Sequence, residues 1–233
     1  MHSPSTPTRC VHPRPDVITP AGADTLFRRS LSAMGCRFEF LLNPRGSVHD
    51  RYSVEAIADE LVELVQDWHN RLSVFLPGSM ASQINRQPAG QPLALDQDLF
   101  GLMCLCDSLR TETQGAFNIA AGTLMHAHGF RSGSFASRLD SLDLDHAITL
   151  DGSQKTVVRN DDRVTIDFGA IAKGFVLDLL RREIHDYGIE HAFVHGGTSS
   201  CFAIGHDESQ QPWRVRVCQS TKLAACISNF GFG

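Results

Sequence analysis

The chain has 233 residues, 42% of them hydrophobic and 20% charged, the composition of a globular protein with room for one substantial domain or two small ones. Its formal net charge is −5 and it carries no basic stripe, so a nucleic-acid partner is not expected. No apolar run is long enough to make a transmembrane segment.

Met1 to Ala23 holds five prolines among Ser, Thr and Gly. The segment reads as a flexible leader, taken as residues 1–30, ahead of one domain over 31–233. It lacks the apolar centre of a secretory signal, and Cys10 has no apolar run before it as a lipid anchor needs. Cytoplasmic residence is therefore the expectation. Arg37 to Leu42 predicts a strand. Ser53 to Val74 predicts the clearest helix, with Ile57, Leu61, Leu64, Val65, Trp68 and Leu72 on one face. Pro77-Gly78 breaks it, and Ser79 to Arg86 is a polar segment with one helical turn. Asp96 caps a second helix whose stripe is Leu99, Leu102, Met103, Cys106 and Leu109, ending near Gly115.

Gly115 to Phe130 has no clear period. Short strands follow over Ala147–Leu150, Thr156–Arg159 and Val164–Asp167, separated by Asp151-Gly152 and Asn160-Asp161-Asp162. A helix from about Ala170 to Tyr187 stops at Gly188. Ala192–His195 and Trp213–Val217 complete the strands. The sum is α+β, with helices packed on a largely antiparallel sheet. Seven cysteines, an odd number without a Cys-x-x-Cys, argue against a zinc site or a disulfide framework. His126 and His128 form a pair two residues apart and lack an evident third ligand.

The segment Val164 to Asp178 carries the most chemistry. It predicts a strand ending on Asp167, a turn on Gly169 and a helix that brings Lys173 into its first turn. A carboxylate, glycine-turn amides and a lysine at one helix N-terminus suit a nucleotide's phosphates. Taken alone they suit a plain strand–helix corner with a solvated lysine better, and Asp167 also fits a helix cap.

Further segments stand in order around it: Ser32-Ala33-Met34-Gly35-Cys36, Arg71-Leu72-Ser73-Val74-Phe75 with Ser79 to Arg86, Gly115-Ala116-Phe117-Asn118-Ile119, and His195-Gly196-Gly197-Thr198. Together with Asp167 to Gly174 and the Trp213–Val217 strand, they resemble the ApbE family, the FAD:protein FMN transferases. The resemblance runs from about Leu31 to Val217 and implies an ApbE-like (T-fold-like) architecture. It implies magnesium-dependent transfer of FMN from FAD to a Thr or Ser hydroxyl of an acceptor protein, with AMP released. Position by position, it implies that Met34, Phe75, Ala116, Phe117, Asn118, Asp167 and Lys173 bind FAD, and that the carbonyl of Ala170 is a backbone ligand of Mg²⁺. Met34 and Phe75 are also ordinary core residue types, and Gly196-Gly197 also reads as a simple turn. Three departures stand out. Cys36 replaces the usual Thr, and Asn118 replaces the usual Asp. The family's later His-Ile-x-Asp-Pro and Ala-Asp segments, which carry side-chain magnesium ligands, have no counterpart before Gly233. A chain truncated at its C-terminus is the expectation, and with it a flavin-binding remnant without turnover as the alternative to a transferase.

Overall fold

In the computed structural model, residues 26–43, 51–127, 142–218 and 224–227 are described. The first element is a strand at β1 (Phe27–Ala33), paired antiparallel with β2 (Cys36–Asn43). β1 begins inside the segment 1–30 expected as a leader, which is a correction of that boundary; residues 1–25 lie outside the described residues. The reason is pairing: Phe27 and Leu31 pack against the core while Arg28 and Ser30 alternate outward. β2 continues to β6 (His191–Gly196) and β6 to β7 (Ser200–Ile204), giving a four-stranded antiparallel sheet in the order β1-β2-β6-β7.

Phe38, Phe40 and Leu42 of β2 are fully buried and enter one core with α1 (Arg51–Leu72) and α5 (Ala172–Asp186). From α1 come Val54, Ile57, Ala58, Leu61, Val65, Trp68 and Leu72, close to the predicted stripe. From α5 come Val176, Leu177, Leu180 and Ile184. Each such side chain contributes about 1.5–3 kcal/mol by leaving water. The helix-capping signals take their places: the Asp96 carboxylate accepts from the amides of Asp98 and Leu99 at the start of α3 (Gln97–Glu112). Gly188, at φ +69°, closes α5.

A second, three-stranded sheet orders β3 (Pro92–Ala94), β5 (Thr156–Arg159) and β4 (Ile148–Asp151). Arg159 of β5 is 4% exposed, and its guanidinium donates to the carbonyls of Gln87, Asp161, Asp162 and Val164. It staples the turn after β5 to the start of the corner segment.

Three further expectations need correction. Val164–Asp167 is not a ladder strand; its one strand-like contact is a parallel bridge from Thr165 to Ala121. Side chains take its hydrogen bonds instead, as described below. The unpatterned stretch after Gly115 contains a short helix, α4 (Gly122–Ala127). Gly122 permits the bridge, since a Cβ there would lie 2.5 Å from the Thr165 carbonyl oxygen. Trp213 precedes its strand rather than starting it. The strand is β8 (Val215–Cys218), paired with β9 (Ala224–Ile227), and Trp213 stacks on Phe193 at 5.7 Å and donates from Nε1 to the Ile204 carbonyl. His128 of the histidine pair lies outside the described residues.

Candidate functional site

The corner from Val164 to Lys173 is held from three sides. Asn85, near the end of α2 (Met80–Arg86), donates from Nδ2 to the Ile166 carbonyl at 3.0 Å and accepts from the Ile166 amide at 2.7 Å. One amide side chain thereby supplies both bonds that a neighbouring strand would have made. Thr123 Oγ1 accepts from the Thr165 amide at 2.8 Å, and the Ile119 carbonyl accepts from the Asp167 amide at 2.8 Å. The last bond ties Asp167 to the chain that has just passed Ala116, Phe117 and Asn118.

Asp167 is half-buried, and its Oδ1 accepts from the Gly169 amide at 2.6 Å. This is a turn-forming bond two residues on, so the carboxylate shapes the corner. The N-cap of α5 is Ile171, which gives no side-chain cap, and the helix's first turn carries no acid. A helix start without a side-chain cap and with Lys173 in its first turn favours negative charge. Ala170 is exposed at the same corner.

Met34 and Gly35 form the two-residue turn between β1 and β2, both at positive φ (+50° and +71°), the signature of a type I′ hairpin. Gly adopts that conformation freely; for Met it costs on the order of 1 kcal/mol. The Met34 amide donates to His69 Nδ1 at 3.2 Å, and the Met34 side chain packs half-buried against the core. Next to it, Cys36 touches the Gly197 turn: a Cβ on Gly197 would lie 3.0 Å from the Cys36 Cβ. Burial pushes the Cys36 thiol up, and the nearby Lys173 charge pulls it the other way. Cys36 and the Gly196-Gly197 turn therefore share one neighbourhood.

The last turn of α1 joins these parts. Trp68 meets Phe175 of α5 edge to face at 4.8 Å, His69 holds Met34, and Arg71 sits 4.0 Å from the Trp68 ring centre while pairing with Asp96 at 2.6 Å. Phe75 follows on the loop to α2 and is 77% exposed. That loop is tied down by Ser79 Oγ donating to the Ser73 carbonyl and Ser82 Oγ donating to the Val74 carbonyl.

The 116–118 segment divides. Ala116 is exposed and Phe117 half-buried against the core. Asn118 turns its amide to the protein, donating to the Leu144 carbonyl at 2.9 Å and accepting from the Ala120 amide at 2.9 Å. It helps line a cavity of about 130 Å³ between α3 and β4, with Arg110, Asp107 and Asp145 at its polar side. Among the described residues, no group of three or more His, Cys, Asp or Glu side chains is arranged to hold a metal ion.

A family model described as "ApbE family" matches residues 34–229. The chain belongs to the ApbE family. Relatives of this ApbE chain include a protein named FAD:protein FMN transferase from Rhodobacter capsulatus, 29% identical over 164 residues, covering 66% of this chain and 30% of that protein. Another of the same name, from Vibrio cholerae, is 22% identical over 195 residues, covering 79% of this chain and 56% of its own length. The chain thus spans about half, or less, of these curated relatives. Its fold is that of solved ApbE proteins. The ApbE protein of Thermotoga maritima superposes with a TM-score of 0.72 at 20% identity, covering 83% of this chain and 63% of that one. The flavin transferase ApbE of Vibrio cholerae superposes at 0.74 and 18% identity, covering 87% and 67%.

Sequence reasoning assigned no role to Asn85, His69, Glu39 or His195. A polar Asn85 beside buried Ile84 was the available signal for a side chain turned inward. The others act through partners far along the chain, which local pattern cannot reveal.

Proposed function

We propose that the chain binds FAD at this corner and transfers its FMN half to a Thr or Ser hydroxyl of an acceptor protein. The observation that carries the reading is the α5 start, which lacks a side-chain cap at Ile171 and has Lys173 in its first turn, just after the Asp167 corner, in a chain of the ApbE family. In this reading Lys173 and the corner amides take the pyrophosphate, and Phe75 offers its exposed face to a ring of the cofactor. Met34 and the segment Ala116 to Asn118 lie along the rest of it. The acceptor oxygen forms a bond to the FMN phosphorus, the pyrophosphate bond breaks, and AMP leaves with its phosphate. The hydroxyl proton passes to solvent or to a base. Positive charge at the corner stabilises the developing negative charge.

Magnesium, expected from the resemblance, has one ligand that the resemblance names, the Ala170 carbonyl. A hard cation of strict octahedral geometry needs more oxygens than that, usually carboxylates. The described residues do not make such a set, and no step here runs through the ion. A second reading is flavin binding without turnover. Asn118 favours it, since a neutral amide stands where the family has an acid and its hydrogen bonds are directed into the protein.

The test is to titrate FAD and FMN, then incubate the chain with FAD, Mg²⁺ and an acceptor protein bearing a Thr or Ser site. Covalent flavin fluorescence on a denaturing gel, with matching AMP release, is the expected result. FAD binding without label selects the second reading. No binding of FAD refutes both.

A further inference from the structure

The four-stranded sheet ends in β7 on one side and β1 on the other. At β7, Trp213 Nε1 donates to the Ile204 carbonyl and closes part of that edge. At β1, the tight Met34-Gly35 turn fixes which backbone groups the β2 pairing uses. In a two-residue hairpin the flanking residues, here Ala33 and Cys36, exchange both N–H···O=C bonds, and the pattern then alternates along the pair. Ala33, Leu31, Arg29 and Phe27 therefore turn their amides and carbonyls to β2. Ser32, Ser30 and Arg28 turn theirs away from it. The far side of β2 keeps the same alternation: Arg37, opposite Ser32, has its carbonyl turned to the Gly197 amide at 2.9 Å. Among the described residues, no backbone hydrogen bond reaches the outward groups of Arg28, Ser30 and Ser32. The side chains of these three residues are exposed as well.

An open row of N–H and C=O groups is a template for one more strand. Its position says what such a strand would serve. β1 leads directly into Met34, whose amide donates to His69 Nδ1 at 3.2 Å, and the adjacent Trp68 meets Phe175 of α5 at 4.8 Å. A strand laid along β1 thus has one end at the turn that the flavin reading sets along the cofactor. Charge narrows the occupant further. Arg29 and Arg37 pair with Asp59 and Glu39, whereas Arg28 has no ion pair among the described residues. A second copy of this edge would bring more arginines to it, while an acidic segment brings the opposite charge. We propose that the β1 edge is the docking site of the acceptor protein. An extended segment of the acceptor adds a strand beside Arg28 to Ser32, sets an acidic side chain against Arg28 and carries its Thr or Ser at the Met34 end. The proposal rests on the flavin reading above. Arg28 and Ser32 are about 13 Å apart along the strand, so the acid and the hydroxyl residue stand about four residues apart in the acceptor.

The probe is a fluorescein-labelled peptide of about nine residues, alternating Val and Thr, with one Asp about four residues from its last Thr; a second peptide has Lys in place of the Asp. Fluorescence anisotropy measures binding to the full chain without FAD. Ser30→Pro removes an outward N–H and no bond to β2, a change that an edge strand tolerates. It should weaken binding of the Asp peptide about tenfold, the size of one net hydrogen bond. Ser30→Ala keeps the N–H and should bind as the wild type does. Arg28→Glu should reverse the preference for the Asp peptide over the Lys peptide. Amide exchange followed by NMR gives a second readout. In the chain alone Ser30 and Ser32 should exchange fast beside slow Leu31 and Ala33, and the Asp peptide should slow them. No binding of either peptide, or equal binding to wild type and folded Ser30→Pro, overturns the proposal. Slow Ser30 and Ser32 amides in the chain alone also overturn it, because another segment or a second copy then holds the edge. If circular dichroism shows Ser30→Pro unfolded, the exchange pattern and Arg28→Glu decide. In the labelling assay above, Ser30→Pro should raise the acceptor concentration needed for half-maximal label by a similar factor and leave FAD affinity unchanged; unaltered labelling overturns the assignment to the acceptor. Failure of the flavin reading appears separately, as absent FAD binding, and peptide capture by the edge would survive it.

Discussion

Replacing Asn85 with alanine removes two hydrogen bonds from a backbone that has no other sheet neighbour at that point. Ile166 is fully buried, and its amide and carbonyl rely on Asn85 at 2.7 and 3.0 Å. A buried backbone group left unpaired costs about 1–3 kcal/mol. Two such groups, partly relieved by water entering the space of the lost side chain, give about 2–4 kcal/mol. For a chain of this length that corresponds to a fall in Tm of roughly 5–15 °C. The assay is urea denaturation followed by circular dichroism, with Gln83→Ala as the control. Gln83 is on the same helix and donates to the Gly78 carbonyl, but in an exposed position where water can replace it; its loss should cost about 0.5 kcal/mol. The reasoning is refuted if Asn85→Ala lies within about 0.5 kcal/mol of the wild type, or if the two variants are equally affected.

Lys173→Ala should weaken FAD binding by about 1–3 kcal/mol, the scale of a charge-assisted hydrogen bond, and leave the melting temperature of the ligand-free protein nearly unchanged; calorimetric titration with a parallel thermal melt measures both. Burial, aided by the Asp107 charge, pushes the Cys106 thiol up to about 12. Iodoacetamide at pH 8, read by mass spectrometry, should therefore modify exposed Cys104 in the native protein and Cys106 only after unfolding. The side chain of Arg163, then its amide, hold the Asp161 carboxyl at about 2. Because the folded value is the lower one, this stabilisation is present above about pH 4 and lost as pH falls toward 2. The stability gap between wild type and Asp161→Asn, from urea midpoints at pH 5 and pH 2.5, should narrow at the lower pH, and by a modest amount because the pair is about one-third exposed.

The parts legible in the sequence were those whose physics is local. The stripe of α1 repeats at helical spacing, Asp96 is an acid directly ahead of an apolar-periodic run, and Gly188 supplies the positive φ that ends α5. β1 was hidden because Arg28-Arg29 interrupts its alternation and the proline-rich stretch from Met1 to Ala23 stands close before it in the sequence. Val164-Thr165-Ile166 has the composition of a strand, and its backbone is satisfied as one would be. The partner is Asn85, 81 residues earlier, and a side chain leaves no strand pattern to read. The motif residues could be named from the family resemblance, but the direction of the Asn118 amide could not. His195 and Glu39 meet across 156 residues, and only strand register puts them side by side.

The serine ties around Phe75 have a consequence for the entropy of recognition. Ser79 and Ser82 fix the carbonyls of Ser73 and Val74 while Ser79 also starts α2, so the loop bearing the exposed ring has a defined shape before any ligand arrives. Ordering a loose loop costs roughly 1–2 kcal/mol for each residue whose backbone is fixed. Here that loss is taken during folding, where the core of α1 and α2 offsets it. An aromatic ligand landing on Phe75 thus meets a surface already in position. Its binding enthalpy is not spent on arranging the platform, and association can proceed without waiting for the loop to close.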